Sequence, residues 1–389
     1  NTVRSGLIVI ILCTPFSVSG SEMMWQFNSS VGSRHYENIS LSNNPRGTET
    51  MMHKSASGLL EYSTPTTTIS ARPSLAGRSY SDSTRDTTDI GLGLSATHNA
   101  ETAILRFSTD TQRDSSFTSE LTTTGYLDKK VKRKSDQYSP SLTYIFDSLN
   151  SVSLNHSFTD VDYSNGIVAQ LFDYEYSNTT ISYNRLTDSF GTIGITFTKV
   201  SQKIDLLQSK YNTKILQFGF DKDYSETLSY SVYSGIRHYT NDIGYANYKL
   251  SDNGWVMNLS GAKQFERSSL NLTLSRDVSP SGGGYMILKN QLNLNFNYRI
   301  SPQLTTTFDA VALKNIRETE NDELNRYYGN ADLGLIYNFE HNWNISFHIQ
   351  HRKNHSEEGV PGKDNVIMFR VSYAGPKTPI KNYGKDTDF

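Results

Sequence analysis

Few residues in this chain have the types and spacing that chemistry requires. His348 and His351 invite a metal-site reading, but three residues apart on a strand they face opposite sides, which defeats joint ligation. His351 and His355 share a phase, yet the second falls in the following loop. The run Ser281-Gly282-Gly283-Gly284 has the composition of a phosphate cradle. It lacks the following helix and the Lys-Ser pair that such a loop needs, so it reads as a flexible loop tip. A Ser/His/Asn hydrolase acting from a lipid face needs a constellation there, and His156 stands alone on that phase with no motif around it. Cys13 is the only cysteine, so disulfides, thiolate metal sites and covalent c-type haem are excluded beyond it. No catalytic residue, cofactor or metal is expected, and the chain does not read as an enzyme.

What remains is a set of polar side chains that keep to one phase of the chain. Arg106, Arg237, Arg299, Arg352 and Arg370 belong to it, with Asp110, Asp221 and Asp332. Facing a water-filled passage, such charges either set ion selectivity through their field or sit as solvated pairs. Asn293, Asn295 and Asn297 form a ladder on the same phase. Neutral hydrogen-bonding walls suit a hydroxyl-rich solute such as a glycan, and any wet lumen must be hydrophilic in any case. Lys129, Lys130, Lys132, Arg133 and Lys134 gather in the longest connection, 114–135, as an external basic loop. That loop either binds anionic lipopolysaccharide or an acidic polymer, or is simply solvated.

The elements that position these residues are strands. Leu288, Leu292, Leu294, Phe296, Tyr298 and Ile300 alternate with Lys289, Gln291, Asn293, Asn295, Asn297 and Arg299. Successive side chains of a strand point to opposite faces, so one face is apolar and the other strongly hydrophilic. The rhythm recurs from about residue 24 to the end, and no segment supplies a solid apolar run for a central core. This pattern predicts an all-β chain: a single transmembrane, antiparallel, up-and-down β-barrel of about 18 strands (roughly 16–20), with lipid outside and water inside. Outward sets include Leu270, Leu272 and Leu274; Trp343, Ile345, Phe347 and Ile349; and Ile367, Phe369, Val371 and Tyr373. Segment 172–185 breaks parity, since Tyr174 and Tyr176 sit on one phase and Ile181 and Tyr183 on the other. A β-bulge near Asn178–Thr179 is expected there.

Short polar turns are expected at 63–65, 98–100, 146–150, 186–189, 223–226, 265–268, 300–303 and 339–342. Longer connections fall at 42–50, 79–87, 114–135, 164–170, 202–210, 240–253, 278–285, 314–326 and 354–363. Short and long therefore alternate, as tight periplasmic turns and longer extracellular loops do, and an even strand number puts both termini in the periplasm. Phe146, Phe190, Phe265, Phe339 and Trp343 at segment ends would form the periplasmic aromatic girdle, or pack as ordinary cross-strand pairs.

Composition agrees. Only 36% of residues are apolar and the mean hydropathy is −0.52, low for a soluble globule of 389 residues. Disorder is argued against by 24 Tyr and 18 Phe. A net charge of −2 with no dominant basic tract gives no sign of nucleic acid. Residues 1–20 read as a secretory signal, with Arg4 before the apolar core Gly6–Cys13 and the small run Ser17-Val18-Ser19-Gly20. No small residue precedes Cys13, which argues against a lipoprotein. The barrel is expected over 21–374. A periplasmic tail follows at 375–389, poor strand material because of Pro376, Pro379 and Gly384, and either disordered or touching a partner.

Several phrases carry a family resemblance. Gly32-Ser-Arg-His-Tyr-Glu-Asn-Ile-Ser-Leu41 is followed by Pro73-Ser74-Leu75, Arg78-Ser79-Tyr80 and Ser139-Pro140-Ser141-Leu142, then by Ser275-Arg276-Asp277-Val278-Ser279-Pro280-Ser281-Gly282-Gly283-Gly284. In this order and spacing they resemble the outer-membrane β-barrel porins encoded with exopolysaccharide and exosortase systems (β-barrel porin 2-like). The resemblance implies a Gram-negative outer-membrane pore for export of extracellular polysaccharide or passage of hydrophilic solutes. It implies contact with outer-membrane lipid and lipopolysaccharide, a polysaccharide substrate and a periplasmic or lumenal protein partner, and no catalytic residue. The competing readings are a barrel that sheathes or scaffolds a partner, as in porin–cytochrome conduits, and a surface adhesin or receptor.

Overall fold

The computed structural model describes residues 21–41, 47–120, 130–243, 248–318, 323–357 and 361–380. Its first nine strands are β1 (Glu22–Tyr36), β2 (Glu49–Ser63), β3 (Thr67–Tyr80), β4 (Thr87–Asn99), β5 (Ala103–Ser115), β6 (Lys132–Ile145), β7 (Asn150–Ser164), β8 (Tyr174–Thr187) and β9 (Gly191–Ile204). Nine more follow: β10 (Ser209–Ser225), β11 (Leu228–Ile243), β12 (Tyr248–Gln264), β13 (Ser268–Ser281), β14 (Tyr285–Arg299), β15 (Leu304–Glu318), β16 (Glu323–Glu340), β17 (Trp343–Ser356) and β18 (Gly362–Ala374). Each pairs antiparallel with its neighbours in sequence. β1 also pairs with β18, from Asn28↔Ala374 to Tyr36↔Val366, so the sheet closes on itself. The result is the antiparallel eighteen-strand barrel that the alternation predicts. Closure leaves no free sheet edge between β1 and β18, which a strand-built membrane span requires. Among the described residues no helix is long and apolar enough to cross a membrane.

The register carries one apolar surface around the outside. The cross-strand row Phe197↔Leu216↔Ile236↔Trp255 is exposed along its whole length. On β10 the outward residues Leu216, Phe218 and Phe220 lie between outward Lys214 and Lys222. Eight residues cover about 26 Å along a tilted strand, the scale of a hydrocarbon band roughly 25 Å tall. Phe218 is at the middle of that band. Phe218→Arg is expected to cost about 2–4 kcal/mol of folding stability in vesicles, and Gln217→Arg, one residue away but lumenal, far less. Urea titration of both variants in lipid checks this, and equal losses would contradict the face assignment. At the short-turn end Phe339 stacks on Trp343 with centroids 6.4 Å apart, and Trp343 leans on Tyr373 at 5.0 Å.

Four expectations need correction. First, β8 pairs with β7 and β9 without any register shift, so there is no bulge near Asn178–Thr179. Tyr174 and Tyr176 point inward because an apolar layer inside the barrel receives them. Irregularities do occur between Asp223 and Ser225 and between Asn338 and Glu340, both beside short turns. Second, several long connections are strand extensions. The connection expected at 202–210 contracts to 205–208, and that at 278–285 to 282–284. Third, the basic run is not one loop. Lys132, Arg133 and Lys134 begin β6, where alternation sends Arg133 inward and its two neighbours outward, and Lys129 lies outside the described residues. Fourth, the tail starts on the wall. Thr378–Pro379 forms β19 against Met24 and Trp25. The two prolines have no N–H to give, and the pairing uses those of Gly375 and Ile380, which donate to Phe27 and Met23 carbonyls at 2.8 and 2.7 Å.

Candidate functional site

The surface with chemistry is the inner wall, and its construction differs by sector. On β13–β15 side-chain amides form a network. Gln291 donates to Asn293 at 2.6 Å, Asn297 donates to Asn295 at 2.9 Å, and Asn295 donates to Asp309. On β4–β8 the wall is small and hydroxylated. A cavity of about 330 Å³ opens there among Ser95, Thr97, Ser108, Ser139, Ser141, Asn155 and Thr180, with Arg106 at its side. Asp110 lies on the same face, next to Gly93 of β4. A Cβ at that glycine would stand 3.2 Å from the Asp110 carboxylate.

The seam between β18 and β3 is cationic. Arg370, Gly32, His53 and Arg78 occupy one inward row across four strands, and Arg34 stands two residues above Gly32 on the same face. Arg34 Nε and Arg370 Nη2 both reach the sulfur of Met368, at 3.0 and 3.5 Å. Arg78 is paired with Asp89. Among the described residues no carboxylate is in ion-pair range of Arg34 or Arg370, so their charge is left for the lumen. On β16 and β17 beside them, His348 Nδ1 lies 2.7 Å from Asp332 Oδ1. The imidazole fits because residue 334 is glycine, where a Cβ would stand 2.6 Å from the ring.

Other charges on the inward phase are consumed by the wall. Arg352 is buried and paired with Asp364, which is itself fully buried and accepts from the Asn38 N–H at 2.7 Å. Arg237 is buried, 3.2 Å from Asp252 and over the Tyr239 ring at 5.9 Å. Asp221 accepts from Tyr233 at 2.6 Å, and that ring lies against Gly194 and Gly219, where no side chain would fit beneath it. Arg133 pairs with Asp114 at 3.1 Å, whereas Lys134 pairs with Asp136 on the outward face. Lys130 donates to the Asp86 carbonyl at 2.7 Å, while Lys132 lies on the outward phase of β6. Arg299 stands exposed on the inward phase at the short-turn end. His351 and His355 face outward, and His348 does not. Among the described residues no group of three or more metal-binding side chains forms.

The largest departure concerns the Ser-Gly-Gly-Gly segment, which is buried rather than a free tip. β13 leaves β12 above Arg276, the last residue of their ladder, while β12 continues alone against β11. Arg276 spans the split, donating to the Trp255 carbonyl at 3.2 Å and lying 4.5 Å over that ring. The β13–β14 hairpin then folds into the barrel. Val278, Met286 and Leu288, on the phase that faces lipid lower down, pack with the inward Val200, Ile204, Tyr211, Ile215, Tyr239 and Val256 in one buried cluster. Polar contacts hold the tip. Gln202 donates to the Ser281 carbonyl at 3.2 Å, Tyr211 to that of Gly284 at 2.9 Å, and the Phe172 N–H to that of Gly282 at 2.8 Å. The sequence signal was available, since β9 and β10 carry apolar residues on the lumenal phase where a wet wall would have none.

No protein-family model and no curated protein matches the chain. Solved structures do. Pseudomonas aeruginosa OccK2 (OpdF) aligns with a TM-score of 0.52 at 11% identity over 92% of this chain and 99% of that one. The same protein in complex with glucuronate aligns at 0.53 and 10% identity, over 92% and 100%. Acinetobacter baumannii OccAB2 aligns at 0.50 and 11%, over 92% and 98%. The fold is that of outer-membrane porins, and at these identities the likeness is one of fold alone.

Proposed function

We propose that this barrel is an outer-membrane channel for hydrophilic solutes, with its long connections outside the cell and both termini in the periplasm. The observation that carries the reading is the closed wall of eighteen strands, apolar outside and, away from the layer that receives the inserted hairpin, polar inside. A barrel of that size encloses more space than its own side chains fill. The hydroxyl wall beside Arg106 and the unpaired Arg34 and Arg370 favour solutes that are rich in hydroxyls and negatively charged. Acidic sugars combine the two properties. OccK2, of the same fold, has been solved with glucuronate. Passage of an acidic extracellular polysaccharide is the finer form of this proposal, and the sequence resemblance favours it.

The test is single-channel recording of refolded residues 21–389 in a planar bilayer, with glucuronate oligomers and neutral glucans added in turn. The expected result is discrete openings that acidic oligomers block at lower concentration than neutral ones. A correctly inserted barrel that never opens would refute the channel, and equal block would refute the preference for acidic sugars.

A further inference from the structure

The outer surface carries a charge pattern that passage through the lumen leaves unused. The exposed apolar row Phe197–Leu216–Ile236–Trp255 ends abruptly toward the long-connection end. Two residues on, the next outward row is Lys199–Lys214–His238. Farther out the lysines are compensated: Lys203 pairs with Asp205 at 2.7 Å and lies opposite Glu175, and Asp242 stands between Lys210 and Lys249. Lys199 and Lys214 are direct cross-strand partners, an arrangement in which like charges repel. Among the described residues neither has a carboxylate partner, and both side chains are exposed. His238 Nδ1 lies 2.8 Å from Asn253 Oδ1, which leaves Nε2 turned to the same surface. The pattern is local, because the adjoining outward row on β6–β8 is Asp136–Asp160–Glu175.

An apolar row followed within about 7 Å by an uncompensated cationic row matches the step from acyl chain to head group. Lysine stems lie along apolar surface while their ammonium groups reach the polar layer. The geometry points to a binding site on the outer face of β9–β11 for a membrane lipid with a net-negative phosphate head group. The phosphate lies between Lys199 and Lys214, and the chains run over Phe197, Leu216 and Trp255. The site rests on the membrane-barrel reading and is separate from the lumen.

Trp255 provides the readout, since Trp25 and Trp343 lie at the opposite end of the barrel. In a Trp25→Phe, Trp343→Phe background of the full chain in vesicles, Trp255 fluorescence is quenched by brominated phosphatidic acid or brominated phosphatidylcholine. Phosphatidic acid is expected to quench at lower mole fraction. Lys199→Gln with Lys214→Gln is expected to weaken its apparent association about tenfold, and Lys199→Arg with Lys214→Arg to preserve it. Both residues are exposed, so neither pair of changes threatens folding. Equal quenching by the two lipids, or a preference that survives the glutamine variant, would overturn the proposal. Displacement of phosphatidic acid by inorganic phosphate would overturn the lipid as ligand in favour of a free anion. A barrel that inserts and conducts but shows no lipid preference refutes this site alone, whereas a chain that never inserts refutes the channel as well.

Discussion

Replacing Val278, Met286 and Leu288 together with Asp is expected to raise single-channel conductance severalfold. These side chains fasten the inward hairpin to the inner wall, in a layer shared with Val200, Tyr211, Ile215, Tyr239 and Val256. Burial of each contributes about 1.5–3 kcal/mol relative to exposure, and three carboxylates in an apolar layer reverse that sign. The hairpin would then leave the wall, because above Arg276 no ladder joins it to β12. The barrel itself should survive, since the pairing of β13 with β12 from Arg276 to Ser269 involves none of the substituted residues. Planar-bilayer recording separates the outcomes. Larger and noisier openings place the hairpin in the ion path, and unchanged openings would show that ions pass elsewhere.

Charge reversal at Arg34 and Arg370 is expected to turn the ion preference around. The two guanidinium groups flank the Met368 sulfur and lack carboxylate partners, so their field is spent on the lumen rather than on the wall. A unit charge about 4 Å from a passing ion is worth roughly 1 kcal/mol even at the dielectric constant of water, so reversing two charges shifts the anion-to-cation permeability ratio by about tenfold or more. Reversal potentials across a salt gradient measure that ratio. Arg352→Glu is the contrasting case. Its guanidinium is held by the buried Asp364, so the expected loss is of stability near the β1–β18 seam, with a barrel that is harder to refold. A permeability ratio that ignores Arg34→Glu with Arg370→Glu would remove the cationic row from the solute path.

Much of the barrel is legible from residue order because strand parity is local. A strand such as Ser268–Ser281 needs only its own alternation to show which side chains face lipid, and each short polar turn marks a reversal without reference to the rest of the chain. The outward sets around Leu272, Phe347 and Phe369 follow from that rule, as do the strand number and the placing of His348 opposite His351. Parity says nothing of what lies in front of an inward side chain. Arg237, Arg352 and Arg370 have the same signature in sequence, yet the first two are buried in ion pairs and only the third faces the lumen unpaired. The basic run from Lys130 to Lys134 likewise looks like one patch, and the strand that begins within it divides it between two faces.

Tertiary structure decided the hairpin. Its glycines and its exposed-looking phase are compatible with a free loop, and its apolar residues continue the lipid-facing pattern beyond the height where lipid ends. What turns it inward is a complementary apolar surface on β9–β12, up to about eighty residues away in sequence, and neither surface is satisfied until the barrel has closed and brought them together. Alternation between lipid and water is a property of each strand and is written residue by residue. The contents of the lumen depend on which strands face one another across it, and only closure of the wall sets that.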